Sequence, residues 1–166
     1  MRFLESCEIW EWCAERTILL TDRSRPADDQ ALPHRKRWVY ATGERPGREP
    51  SVAVACVRTL GDWQECLVWI LEYGVWPSSE DWPAAYAFRG AHSEKRSLDV
   101  APGYLFNAAD VDDLATLLTQ VMENGWDAVV LPIRHGASTD VRISISHDEW
   151  LEVSSREPVE FPLAAV

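Results

Sequence analysis

The residues of this chain best suited to chemistry form a run of three near its C-terminal end, His147-Asp148-Glu149. On a strand, His147 and Glu149 would share one face, because side chains alternate. His135, across the hairpin, would be the third ligand of a metal site. That set would suit a small metal-dependent hydrolase. Adjacent polar residues at a strand end also make an ordinary solvated turn, and this is the simpler reading. Asp110, Asp112 and Asp113 would serve as paired carboxylates for proton transfer. They equally suit the first turn of a helix, where negative charge meets the positive end of the dipole. His92 with Arg89 and Arg96 would make an anion site, or simply an exposed basic stretch. A nucleophilic thiol needs a helix N-terminus or a nearby cation. Cys13 and Cys66 fall at apolar helical positions instead, which marks them as buried structural thiols. There is no phosphate loop, no G-x-G-x-x-G, no G-x-S-x-G and no H-E-x-x-H in the sequence. No metal and no cofactor is expected in the leading reading.

A second kind of chemistry is recognition. Trp69, Trp76 and Trp82 lie close together in a chain with nine tryptophans. Trp is common both in cores and at the centres of protein interfaces. The formal charge is −11, with sixteen cations against twenty-seven carboxylates. Such a field disfavours nucleic acid and anionic lipid, whose binding depends on neutralising phosphates. It favours a basic protein partner. The charge is uneven: residues 22–50 hold seven cations against five acids, so the acidity lies elsewhere. Glu72, Trp76, Trp82 and Asp112 are the expected partner-binding residues.

These residues need a scaffold, and 166 residues suffice for one domain with its own core. The spacing predicts a helix from Ser6 to about Arg16, with Ile9, Trp10, Cys13 and Ala14 on one side. Strands are expected over Thr17–Thr21 and Arg37–Thr42, and a nearly all-apolar buried strand over Ser51–Val57. Trp63, Cys66, Leu67, Ile70 and Leu71 match an amphipathic helix opened by Asp62 and stopped by Gly74. A helix over about 80–90, an irregular stretch over 91–103, and a helix from Asp110 to Gly125 follow. A hairpin of strands over 127–133 and 141–146 closes the fold, with Trp150, Leu151 and Val153 extending it. The fold class is therefore α+β: a mostly antiparallel or mixed sheet with helices on one face and a C-terminal β-hairpin. Residues 1–157 make the domain, and 158–166 read as a loose tail. The four cysteines have no C-x2-C spacing. No stretch reaches 18 apolar residues, and the first residues lack the apolar run of a signal peptide. A reducing, cytoplasmic setting with free thiols is the expectation.

Several segments resemble a group of uncharacterised bacterial proteins. They are Leu67-Val68-Trp69-Ile70, Gly74-Val75-Trp76-Pro77-Ser78-Ser79-Glu80, Ala101-Pro102-Gly103-Tyr104-Leu105-Phe106, Asp113-Leu114-Ala115, Gly125-Trp126 and Ser146-His147-Asp148-Glu149. Together they span roughly residues 62–150. The resemblance implies one bacterial domain and brings no activity or site with it. In style the chain is similar to the immunity proteins of bacterial toxin systems: small, acidic, Trp-rich and without catalytic motifs. The leading expectation is thus a non-enzymatic protein-binding module of the immunity or inhibitor kind. The alternatives are the metal-dependent hydrolase and a structural subunit of a larger assembly.

Overall fold

The computed structural model describes residues 1–21, 26, 32–40, 47–73, 82–134, 137–138 and 140–161. In chain order the elements are β1 (Arg2–Leu4), α1 (Ser6–Glu15), β2 (His34–Val39), α2 (Glu49–Thr59), β3 (Glu65–Glu72) and α3 (Trp82–Ala91). Then come β4 (Gly103–Asn107), a 3-10 turn (Ala108–Asp110), α4 (Val111–Glu123), β5 (Asp127–Arg134), β6 (Ala137–Ser138), β7 (Val141–Ser146) and β8 (Trp150–Ser155). One sheet runs β1-β4-β3-β5-β7-β8-β2, with β6 paired to the end of β5. Every pairing between these strands is antiparallel.

The α+β class, the antiparallel sheet, the helical layer on one face and the closing hairpin are as the sequence predicts. That layer is α2, α3 and α4. Its core includes Val52, Ala53 and Cys56 of α2, with Leu114, Leu117, Leu118 and Val121 of α4. These pack on Cys66, Val68 and Ile70 of β3 and on Ala128 and Val130 of β5. α1 lies on the opposite side, where Ile9, Trp12 and Cys13 pack on Leu67, Trp69, Leu105, Val129 and Leu131.

Two central elements exchange identity relative to expectation. Ser51–Val57 is not a strand but the body of α2. Pro50 sits in its first turn, where a missing N–H costs nothing. Ala53 and Ala55 are buried and small, which lets α2 lie close to α4. Conversely, Trp63–Leu71 is not a helix but mostly β3. Its residues 66–70 are all buried, because the strand sits between β4 and β5 with helices on both faces. The expected stop at Gly74 lies outside the described residues.

Smaller corrections have local causes. Thr17–Thr21 is no strand; Thr17 has φ 55°, and the N–H groups of Thr17 and Ile18 bond back to Ala14 and Cys13 to close α1. Among the described residues an isolated bridge, Leu20 to Pro26, follows. α1 is opened by Glu5 rather than Ser6, with the Glu5 N–H donating to the Glu8 carboxylate at 2.8 Å. Asp110 stands at the N-cap of α4 as expected, but its side chain makes no capping bond there; its carboxylate accepts from the Asn107 N–H at 3.0 Å and pairs with the Met1 ammonium at 2.8 Å. Gly125, at φ 62°, ends α4 as expected. The segment from Pro158 is anchored as far as Phe161, which is buried with its ring 4.9 Å from that of Trp38. Among the described residues no helix is long and apolar enough to cross a membrane.

Candidate protein-binding site

α1 is amphipathic by a narrow margin. Ile9, Trp10, Cys13 and Ala14 fit one stripe; Ile9, Trp12 and Cys13 fit another, both at three- and four-residue spacing. The fold selects the second, because Trp12 and Cys13 meet the β3 and β5 side chains beneath. Trp10 is thereby turned outward and is 45% exposed. On the other edge of the exposed face, about 130° around the helix from Trp10, runs the row Glu8, Glu11, Glu15, neighbours by three- and four-residue spacing. These three carboxylates and Trp12 line a groove of about 640 Å³ between α1 and the sheet end, with Arg16 at the end of the helix and Met1, Arg2, Glu65 and Asn107 completing it. Arg16 spans the groove, reaching Glu65 at 2.6 Å and Glu15 at 3.1 Å, with its guanidinium 4.4 Å from the Trp12 ring. The outer face of α1 thus carries an acidic ridge along one edge and an exposed indole at the other, which offer charge for steering and an apolar anchor for burial.

Of the residues singled out in the sequence, Glu72 ends β3 and is exposed, and Asp112 is exposed in the first turn of α4. They sit on different elements. Trp82 opens α3 and is half-buried; its ring lies 6.1 Å from Trp126 and 6.3 Å from Tyr73. Trp126 is fully buried at the centre of that aromatic cluster. Trp76 and His135 lie outside the described residues.

His147-Asp148-Glu149 is the turn between β7 and β8, not a strand, and Glu149 has φ 63°. His147 and Glu149 therefore do not share a strand face. The main-chain N–H of His147 donates to Asp127 Oδ1 at 2.8 Å, and its Nδ1 lies 3.0 Å from the same oxygen. An ionised carboxylate only accepts, so Nδ1 carries the proton. Nε2 faces Asp148 at 3.5 Å, and Glu149 is exposed. The pair fixes the turn. Among the described residues no three metal-ligating side chains converge.

The other candidates are absorbed by structure. Arg89 is wholly buried: Nη1 donates to the Ala101 carbonyl and the Tyr104 hydroxyl, both at 3.0 Å, and Nη2 donates to the carbonyls of Arg96 and Ser97. It holds the irregular stretch after α3 in place. Arg96 pairs with Glu94 and with Glu5, and His92 lies 3.4 Å from Asp113, so the expected anion site is occupied by the protein's own groups. The Arg96 guanidinium holds the Glu94 carboxyl well down, to about 2, against an opposing effect of burial. For Asp110, burial pushes upward, but the N-terminal ammonium and the Asn107 amide outweigh it and the carboxyl lies below its usual value. Burial raises the Cys13 thiol to about 11 and Cys56 to about 12, and pushes Cys66 up as well. Thiols held protonated in this way are poor nucleophiles.

No protein-family model, curated protein or solved structure matches this chain. Trp10 is the residue that sequence reasoning misplaced, because two stripes of equal spacing compete on α1. The acids of α1 were visible as charge but not as a row facing a groove.

Proposed function

We propose that this chain is a non-enzymatic protein-binding module that docks a basic partner on α1, in the manner of an immunity or inhibitor protein. The observation that carries the reading is that the outer face of α1 bears the Glu8-Glu11-Glu15 row along a groove at one edge and the half-exposed Trp10 at the other. Burying the indole supplies the affinity, and the carboxylates supply speed and choice of partner. Glu72 and Asp112, on other elements, contribute to the long-range field. A cytoplasmic location is part of this proposal.

The experiment compares the parent chain with Trp10→Ala and Glu11→Lys, using partners cross-linked in cells and then purified. Trp10→Ala weakens the partner's binding by about thirtyfold, as expected for an interfacial tryptophan worth about 2 kcal/mol. Glu11→Lys slows association and flattens its dependence on salt. Neither variant shifts the melting temperature appreciably, because both side chains are exposed. The reading is overturned if the purified partner is acidic, or if both variants bind it as the parent does.

A further inference from the structure

The groove beside α1 is uneven along its length. Trp12, Leu105 and Phe106 give it a buried apolar lining. Four carboxylates, Glu8, Glu11, Glu15 and Glu65, share it with the guanidinium groups of Arg2 and Arg16 and with Met1, whose ammonium pairs with Asp110. At the C-terminal end of α1 the groove already holds a cation. Arg16 lies 3.1 Å from Glu15 and 2.6 Å from Glu65, with its guanidinium 4.4 Å from the Trp12 ring. Toward the N-terminal end the equivalent place has no cation of its own. Glu8 gives one oxygen to the Glu5 N–H, and among the described residues the Glu11 carboxylate has no partner and Arg2 pairs with neither acid. A second shortage lies beside the first. Trp12 is 4% exposed, and among the described residues neither its indole N–H nor the Nε–H of Arg16 has an acceptor. Buried donors left unpaired are costly, so an acceptor that enters with a cation is favoured as well.

A basic residue in a peptide chain meets all three needs. Its aliphatic stem covers apolar surface, its head carries the charge, and its main-chain carbonyl is an acceptor. Arginine suits the place better than lysine. The guanidinium is planar, pairs with a carboxylate through two N–H groups, and is less strongly hydrated than an ammonium, so it enters a half-buried groove at lower cost. Resting on the reading that α1 docks a basic partner, we propose that the partner inserts one arginine side chain into the part of the groove bounded by Glu8 and Glu11. Arg16 occupies the other part and neutralises Glu15 and Glu65, which confines the incoming charge to the free pair. Glu8 and Glu11 are three residues apart and adjacent on the helix, so both carboxylates act on one head group. Trp10, on the opposite edge of the exposed face, is a separate anchor. The indole supplies burial, and the groove selects a partner that presents arginine.

The test uses the capped tripeptide Gly-Arg-Gly and two controls, with citrulline and with lysine at the centre. Citrulline keeps the shape of arginine and removes its charge. Each is titrated into the whole chain at low salt and followed by residue-resolved nuclear magnetic resonance. The arginine peptide is expected to bind in roughly the millimolar range, as one charged contact allows, and to move the signals of the Glu8 and Glu11 amides and the Trp12 indole N–H. Lysine binds more weakly, and citrulline more weakly still. Glu11→Gln melts like the parent, because the side chain is exposed, and weakens the arginine peptide by about fivefold. Equal binding of the citrulline or the lysine peptide overturns the proposal. So does binding that survives Glu11→Gln intact, or signal changes confined to residues outside the groove. Trp10→Ala leaves the tripeptide's binding unchanged, so the two readings fail separately. If the tripeptide does not bind while Trp10→Ala still weakens the purified partner, the arginine site falls and α1 docking stands. If the tripeptide behaves as expected while the partner ignores both Trp10→Ala and Glu11→Lys, α1 docking falls and the arginine site stands.

Discussion

Replacing Arg89 by methionine tests how the irregular stretch between α3 and β4 is held. Methionine keeps the length and apolar contact of the side chain but removes the guanidinium. Four acceptors then lose their donor: the carbonyls of Arg96, Ser97 and Ala101 and the hydroxyl of Tyr104. Hydrogen bonds from a charged donor contribute about 1.5–3 kcal/mol each, and an abandoned buried acceptor costs a similar amount. The bonds to Arg96 and Ser97 are only partly buried, so water replaces the donor there. Those to Ala101 and Tyr104 are buried, and they dominate the loss. The stacking of the guanidinium 4.9 Å from Phe3 and 5.4 Å from Tyr104 also goes, which loosens β1. Against this, the variant no longer has to desolvate a cation, which returns part of the loss. The net expectation is roughly 3 kcal/mol of destabilisation, or a melting temperature lower by about 6–12 °C for a chain of this size. Urea unfolding measures the first, and amide exchange over 94–101 reports the loop directly. A loss below about 1 kcal/mol with the loop still protected would refute the argument, for the arginine would then be tolerated rather than needed.

Glu94 gives a pH prediction. Its carboxyl is held at about 2, below the ordinary 4.5, by Arg96. A depressed carboxyl contributes stability that is complete above about pH 4.5 and drains away as pH falls toward 2. Glu94→Gln should therefore flatten the acid limb of the stability curve in that window and meet the parent curve at its lower end; an unaltered acid limb would contradict it. Gly103 gives a packing prediction. A Cβ there would lie 2.8 Å from Ile9 Cδ1 and Cγ1 and 3.0 Å from Leu4 Cβ, so Gly103→Ala forces α1 off the sheet at a cost of about 1–3 kcal/mol. Combined with Ile9→Ala, the pair should cost less than the two changes added; strict additivity in denaturant unfolding would show that the contact is not the cause.

Much of this fold is legible in the sequence where one signal dominates. α4 has a single clean stripe, and β7 alternates apolar with polar residues, although its expected wet face is covered: Arg142 and Ser146 are buried. Ser51–Val57 and Trp63–Leu71 are harder because each carries two valid patterns. Val52, Val54 and Val57 argue for a strand, while Pro50, Ala53 and Ala55 argue for a helix that must approach α4 closely. Cys66 to Leu71 is an unbroken apolar run, and any such run contains the helical spacing within it. Only the neighbours decide: β4 and β5 flank that segment, and no local property of the chain announces them. β1 and β4 escape notice for the same reason, since three and five residues are too few to show a period. At the candidate site the presence of Trp10 is obvious and its orientation is not. Rotating α1 by one position would bury it and expose Trp12, and the choice rests with Leu67, Trp69 and Leu131 beneath.

The strand order has a consequence for how the molecule comes together. The sheet's two outermost strands, β1 and β2, both come from the first 39 residues, yet β1 pairs with residues 103–105 and β2 with residues 150–155. During synthesis the opening quarter of the chain must wait for partners made much later, and the last strand to emerge is the one that receives β2. β5, β7 and β8 assemble as sequence-local hairpins, whereas β3 reaches β5 across more distant sequence, and the early segments are sewn onto the two flanks afterwards. A ribosome-bound chain stopped before residue 150 would carry a basic, unpaired β2 segment in the open, which makes that interval the one in which a chaperone has most to hold.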